Sequence, residues 1–185
     1  MLFDYPSAAS HAEGLYFVAK RLGNEIILRR SSGIALIGHS LGGLVVRKLL
    51  SELCNGTKFH SGISSRTRLV ALFASPYTGS SLAGFAKYIP YAMNHPHLQI
   101  LEKNDGALNQ MNDAWELWHE NNVSCHIMKF RGSLDKVVPS SDALAGPGEN
   151  YPVPNEDHSS IVKPTIVKLG VVKTLAEGIR QKFLN

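Results

Sequence analysis

The sequence predicts one α/β domain built on a mainly parallel sheet, and three observations carry that expectation. Apolar stretches of strand length alternate with stretches of helical periodicity. Two of the strand candidates are continuous apolar runs, the pattern of strands covered on both faces by helices. The chain of 185 residues, 44% hydrophobic and 18% charged, is long and apolar enough for one full core, so residues 1–185 are read as a single domain.

Leu2-Phe3-Asp4-Tyr5 is a short strand candidate ended by Pro6. Ser10 is placed to cap a helix carrying Leu15, Val18, Leu22 and Ile26 at helical spacing, which Gly23 weakens without ending. Ser32-Gly33 opens the run Ile34 to Ile37, expected as a strand buried on both faces, and a helix follows from Leu41 to about Cys54. Beyond a polar loop, Leu69 to Phe73 is another buried strand, closed by Ser75-Pro76.

Residues 77–122 are expected as a helical insertion or lid. Gly79, Gly84 and Pro90 are breakers there, and a helix runs from about Leu108 to His119. On that helix Trp115 and Trp118, with Leu108 and Met111, form a face for core packing or an acyl pocket, packing being the plainer reading. Val123 to Phe130 is a further strand, and Gly132-Ser133 turns the chain into Asp135. A short strand is expected around Tyr151. Thr165 to Phe183 is a terminal amphipathic helix, with Ile166, Leu169, Val172, Leu175 and Ile179 on one side.

Several classes are disfavoured. The net charge of +4 comes from 19 basic residues spread among 15 acidic ones, not from a stripe that would track nucleic acid. The densest basic spots, Lys20-Arg21, Arg29-Arg30 and Arg47-Lys48, lie on or beside expected helices and are read as solvated faces. No apolar run reaches the roughly 18 residues of a membrane span, and Met1-Leu2-Phe3-Asp4 lacks the pattern of a signal peptide. A cytoplasmic location follows by default. Cys54 and Cys125 are read as reduced thiols. His95-Pro96-His97 has no clear third ligand, so no metal is assigned, and no cofactor.

The informative stretch is Ile37-Gly38-His39-Ser40-Leu41-Gly42-Gly43, a Gly-x-Ser-x-Gly pattern between a buried strand and a helix. A sharp turn there would strain the Ser40 backbone and expose its hydroxyl above the sheet, with Gly38 and Gly42 removing β-carbons that would clash. The N–H of Leu41, at the helix N-terminus, becomes an oxyanion donor. His39 fills the variable position of the turn and is read as packing or orienting, not as the base.

A serine hydroxyl needs a base, and an imidazole base needs a carboxylate to fix its tautomer. Asp135 lies just past a buried strand, where ligands gather in α/β folds. His158 follows in a polar loop ahead of the last helix and is the best base. Asp142 and Asp157 are rival acids.

With these residues in place the chain resembles the α/β-hydrolase superfamily, and within it lipase-like serine esterases related to the GPI inositol-deacylase and serine-active-site-containing families. The resemblance spans nearly the whole chain. It rests on Gly38 to Gly43, Ala74 to Ser80, Gly132 to Pro139 and Asp157 to Ile161, while Ser75 and Tyr77 depart from the usual Thr and His of the second segment. It implies hydrolysis of an acyl ester or lipid-like small molecule through an acyl-serine, without metal or cofactor.

The resemblance also implies a short front end. Phe3-Asp4-Tyr5 looks like the family's fourth strand, so the preceding strands and the His-Gly loop with the second oxyanion donor would be absent. The first strand would then pair directly with the Ile34 strand, or the chain would be a truncated form or fragment. Losing one donor can cost roughly a hundred- to a thousand-fold in turnover. A catalytically silent hydrolase-like domain with a binding role is therefore the second reading.

Overall fold

The computed structural model describes residues 1–4, 14–54, 62–78, 105–163 and 169–184. In chain order they form α1 (Leu15–Leu28), β1 (Ile34–His39), α2 (Leu41–Cys54), α3 (Ile63–Arg66) and β2 (Thr67–Phe73). Then come α4 (Asp105–Glu120), β3 (His126–Gly132), α5 (Ser140–Ala143), β4 (Glu149–Val153), a 3-10 turn (Ser160–Val162) and α6 (Leu169–Phe183). The four strands make one sheet in the order β1-β2-β3-β4, every adjacent pair parallel. The predicted α/β class is what the chain forms.

The period-two geometry of a strand sorts one apolar run into two cores. Leu69, Ala71 and Phe73 of β2 join Met128 and Phe130 of β3 beneath Val171, Leu175, Ile179 and Phe183 of α6. The alternate residues Val70, Leu72 and Ile127 face the other layer, where α1 and α2 pack with Trp115 and Trp118. Those two rings stack 5.3 Å apart, and Trp118 Nε1–H donates to Ser64 Oγ at 2.8 Å. They are core residues, as the plainer reading had it.

Burial on both faces holds for β2 but not for β1. Ile34 and Leu36 are buried, whereas Ala35 is exposed and Ile37 keeps 53% of its surface open. Among the described residues β1 pairs only with β2, which places it at the edge of the described sheet. An apolar run alone carries no information on edge position. Residues 1–4 are not a strand, and Leu2 is 94% exposed, so the predicted pairing of a Leu2 strand with β1 is not made. Tyr5 and Ser10 lie outside the described residues, and α1 starts after Gly14.

Other boundaries shift for local reasons. β3 begins at His126 because residues 121–124 turn, leaving Val123 exposed. α6 packs through Val171, Leu175, Ile179 and Phe183, one residue off the predicted register at its start, and Val172 faces outward. Thr165 and Ile166 lie outside the described residues, as do 79–104, which hold most of the expected insertion. β4 contains Pro152, which its edge position tolerates because one side of the strand needs no donor. No helix among the described residues is long and apolar enough to cross a membrane.

Candidate active site

The strand ends place the site. Ser40 follows β1 directly and has φ 56°, a left-handed conformation that costs a non-glycine residue on the order of 1–3 kcal/mol. The turn is held by the Ser40 N–H, which donates to Phe73 O at 2.9 Å, and by the Gly43 N–H, which donates back to Ser40 O at 3.0 Å. A β-carbon on Gly38 would lie 2.7 Å from Gly42 O and Gly43 N, so glycine there is a steric requirement. At Gly42 a β-carbon would meet nothing within 4 Å among the described residues, contrary to expectation, whereas at Gly43 it would come 2.1 Å from Ser75 Oγ. The close approach belongs to the second glycine of the pair. Leu41 heads α2, so its N–H has no intrahelical acceptor.

Asp135 and His158, both distant in sequence, converge on this turn. His158 Nδ1 lies 3.0 Å from Asp135 Oδ2, and its Nε2 lies 3.0 Å from Ser40 Oγ. The other carboxylate oxygen, Asp135 Oδ1, accepts from the N–H groups of Val137 at 2.8 Å and Val138 at 3.0 Å. Burial alone would raise the Asp135 carboxyl. The hydrogen bonds from His158, Val138 and Val137 together outweigh that and hold it below its ordinary 3.8. An ionised Asp135 takes the Nδ1–H of His158, which leaves the Nε2 lone pair for the serine hydroxyl. Ser40 and His158 each keep 8% of their surface open, so the hydroxyl is buried rather than exposed.

The two loops that carry acid and base are locked together. The Leu134 N–H donates to Glu156 O at 2.9 Å and the Ser133 N–H to Val153 O at 2.8 Å. This approach is open only because position 132 is glycine: a β-carbon there would sit 2.1 Å from Glu156 O. The rival acids have other work. Asp142 accepts from the N–H groups of Tyr77 at 2.8 Å and Thr78 at 2.6 Å, clamping the segment after β2. Asp157 Oδ1 accepts from Ser159 N–H at 2.8 Å and Ser160 N–H at 2.7 Å, shaping its own turn.

Tyr77, where the resemblance leads one to expect His, packs under Arg47, whose guanidinium lies 4.7 Å from the ring centre. Arg47 is fully buried, donates to Asn112 Oδ1 at 2.7 Å, and ties α2 to α4. Lys129 Nζ donates to Leu144 O at 2.8 Å, Ala145 O at 3.2 Å and Gly146 O at 2.5 Å, fixing the chain beyond α5. The solvated helix face expected for the Arg47-Lys48 pair is therefore wrong for Arg47, which turns inward to the amide of Asn112; the sequence does not single out Lys129, whose only signal is a charge inside an apolar stretch.

A groove of about 780 Å³ follows β1 and is lined by Leu36, Ile37, His39, Val45, Glu156 and Ile161 among others. Gly38, His39 and Gly42, on either side of Ser40, line it, whereas Ser40, Asp135 and His158 do not. Among the described residues there is no group of three or more His, Cys, Asp or Glu side chains able to hold a metal; His95 and His97 lie outside them. Cys125 is a free, buried thiol that burial pushes up to about 12.

No family model matches the chain. Over 157 residues it is 31% identical to human Protein SERAC1 and over a similar span 30% identical to the bovine protein, matches that cover 76% of this chain and 24% of each relative. The chain thus spans about a quarter of the length of the curated relatives it matches. A monoacylglycerol lipase of Paleococcus ferrophilus superposes with a TM-score of 0.55 at 13% identity, over 96% of this chain and 81% of that one. The esterase domain of a Rhodothermus marinus protein gives 0.51 at 17%, over 80% and 59%. MGS-MChE2, an alpha/beta hydrolase from a lagoon-sediment metagenome, gives 0.56 at 12%, over 91% and 70%. At such identities the likeness is one of fold.

Proposed function

From the α/β-hydrolase fold, which this chain has, we propose that it is a serine hydrolase cleaving carboxylic esters through an acyl-serine intermediate. The observation that carries the reading is the position of His158, whose two ring nitrogens each lie 3.0 Å from a partner, Ser40 Oγ on one side and Asp135 Oδ2 on the other. A surface histidine has no physical reason to sit between a buried carboxylate and a serine held at a strained turn. The esterase and the monoacylglycerol lipase among the structural neighbours support esters as the substrate class.

In the first half-reaction Ser40 Oγ attacks the ester carbonyl carbon while its proton passes to His158 Nε2. Asp135 stays ionised and stabilises the resulting imidazolium. The carbonyl oxygen gains the negative charge and meets the Leu41 N–H at the α2 N-terminus. The carbon–oxygen bond to the alcohol then breaks, and His158 returns the proton to the departing oxygen. In the second half, water gives its proton to His158, attacks the acyl carbon and releases the acid, and Ser40 recovers its proton.

Hydrolysis of a series of p-nitrophenyl esters, from acetate to long acyl chains, tests the reading. Release of nitrophenol with an initial burst, abolished in Ser40→Ala, is the expected result. A folded chain that turns over no member of the series would instead be a silent, binding relative of the hydrolases.

A further inference from the structure

His39 closes β1, and its ring is turned toward the loop that carries His158, not into the sheet. His39 Nε2 lies 2.8 Å from the backbone carbonyl oxygen of His158 itself, across 119 positions of sequence. A carbonyl only accepts, so the imidazole donates, and its proton is fixed on Nε2. The two rings lie 5.0 Å apart at a tilt of 45°. We propose that His39 is a positioning residue for the base: its N–H holds the backbone of His158, and so the imidazole, against the hydroxyl of the neighbouring Ser40. The proposal rests on the serine hydrolase reading and adds to it the device that sets the serine–base distance.

The geometry gives the reason. Ser40 and His158 meet at 3.0 Å, and the residue next to Ser40 grips the residue it meets, so turn and base form a small closed ring of contacts. Further bonds act at the flanks of the base loop or within it: Leu134 N–H holds Glu156 O, and Asp157 caps Ser159 and Ser160. The His39 bond acts on the carbonyl of the base residue itself. Burial is the main influence on the His39 pKa and brings it below 6.5, although the carbonyl bond and Asp135 pull the other way. A neutral ring in this place donates without setting a positive charge beside the imidazolium that His158 becomes.

Three variants test the assignment. His39→Phe keeps a ring against His158 and removes the donor, His39→Leu does so with a smaller side chain if Phe does not fold, and His39→Gln keeps an N–H at similar reach. For the p-nitrophenyl esters, a displacement of about 1 Å predicts a fall in kcat on the order of a hundredfold in Phe or Leu, KM changing little, with Gln restoring most of it. Wild-type kcat in His39→Phe overturns the proposal, and so does a folded His39→Gln that rescues nothing, because packing alone would then explain the site. If the wild-type chain hydrolyses no ester, the hydrolase reading fails, and proton NMR of the His158 Nδ1–H still decides this one. That resonance should persist in wild type and Gln and be lost in Phe; an unchanged resonance in Phe would overturn it.

Discussion

Gly132→Ala probes the contact on which the assembly of acid and base depends. The added methyl would lie 2.1 Å from Glu156 O and 2.6 Å from Glu156 C, both backbone atoms that no rotamer change can remove. Ordinary carbon–oxygen contact is about 3.5 Å, so the loop must retreat by on the order of 1 Å. That takes the Leu134–Glu156 bond, 2.9 Å at present, outside hydrogen-bonding range. His158 is two residues further on, and its contacts with Asp135 and Ser40 have no slack at 3.0 Å each. A misplacement of that size predicts about a hundredfold loss in the rate of serine labelling, and the overpacking about 1–3 kcal/mol of stability. Both are measurable on one preparation, by time courses with a fluorophosphonate and by urea unfolding. Wild-type labelling rate and midpoint in Gly132→Ala would refute the idea that this glycine lets the two loops meet.

The two glycines after Ser40 should behave oppositely in urea unfolding. Gly42→Ala has open space in a helix and should stabilise by about 0.5–1 kcal/mol, while Gly43→Ala meets Ser75 and should destabilise by about 1–3 kcal/mol; a reversed order would contradict the packing described. In Asp135→Asn an amide faces the ring and disfavours the tautomer that Ser40 needs, so ester turnover should fall roughly ten-thousandfold with the fold retained; near-normal turnover would remove Asp135 from the mechanism. His39 has a folded pKa below 6.5, so the unfolded chain binds more protons in mild acid. Its contribution to stability is complete above pH 6.5 and lost as pH falls through the lower folded value. Unfolding free energy compared at about pH 7.5 and about pH 5 should therefore drop more in wild type than in His39→Gln, and equal drops would contradict the sign.

What the sequence made legible was set by local physics. The start of α2 was readable because a strained turn precedes it, and the core of β2 because Leu69 to Phe73 is an apolar run covered on both faces, whereas its first two residues, Thr67 and Arg68, are polar and lie outside the expected strand. Ser40, Asp135 and His158 could be picked out because each sits just beyond a strand or in a polar loop, and chain order left few alternatives. The place of β1 at the edge of the described sheet was not readable, since Ile34 to Ile37 has the composition of a central strand and only the structure shows Ile37 open. Nor could the sequence assign the steric role to Gly43 over Gly42, because that depends on Ser75 arriving from β2. The partner of His39 lies 119 residues away, and the clamp from Asp142 to Tyr77 crosses 65; no local pattern encodes either.

The most direct measurement is the mass of the chain after treatment with a fluorophosphonate, followed by peptide mapping. One adduct, carried by Ser40 and absent in Ser40→Ala and His158→Ala of unchanged fold, is the result the hydrogen-bonded chain through His158 predicts. A folded wild-type chain that takes up no adduct, or takes it up on another residue, would contradict it.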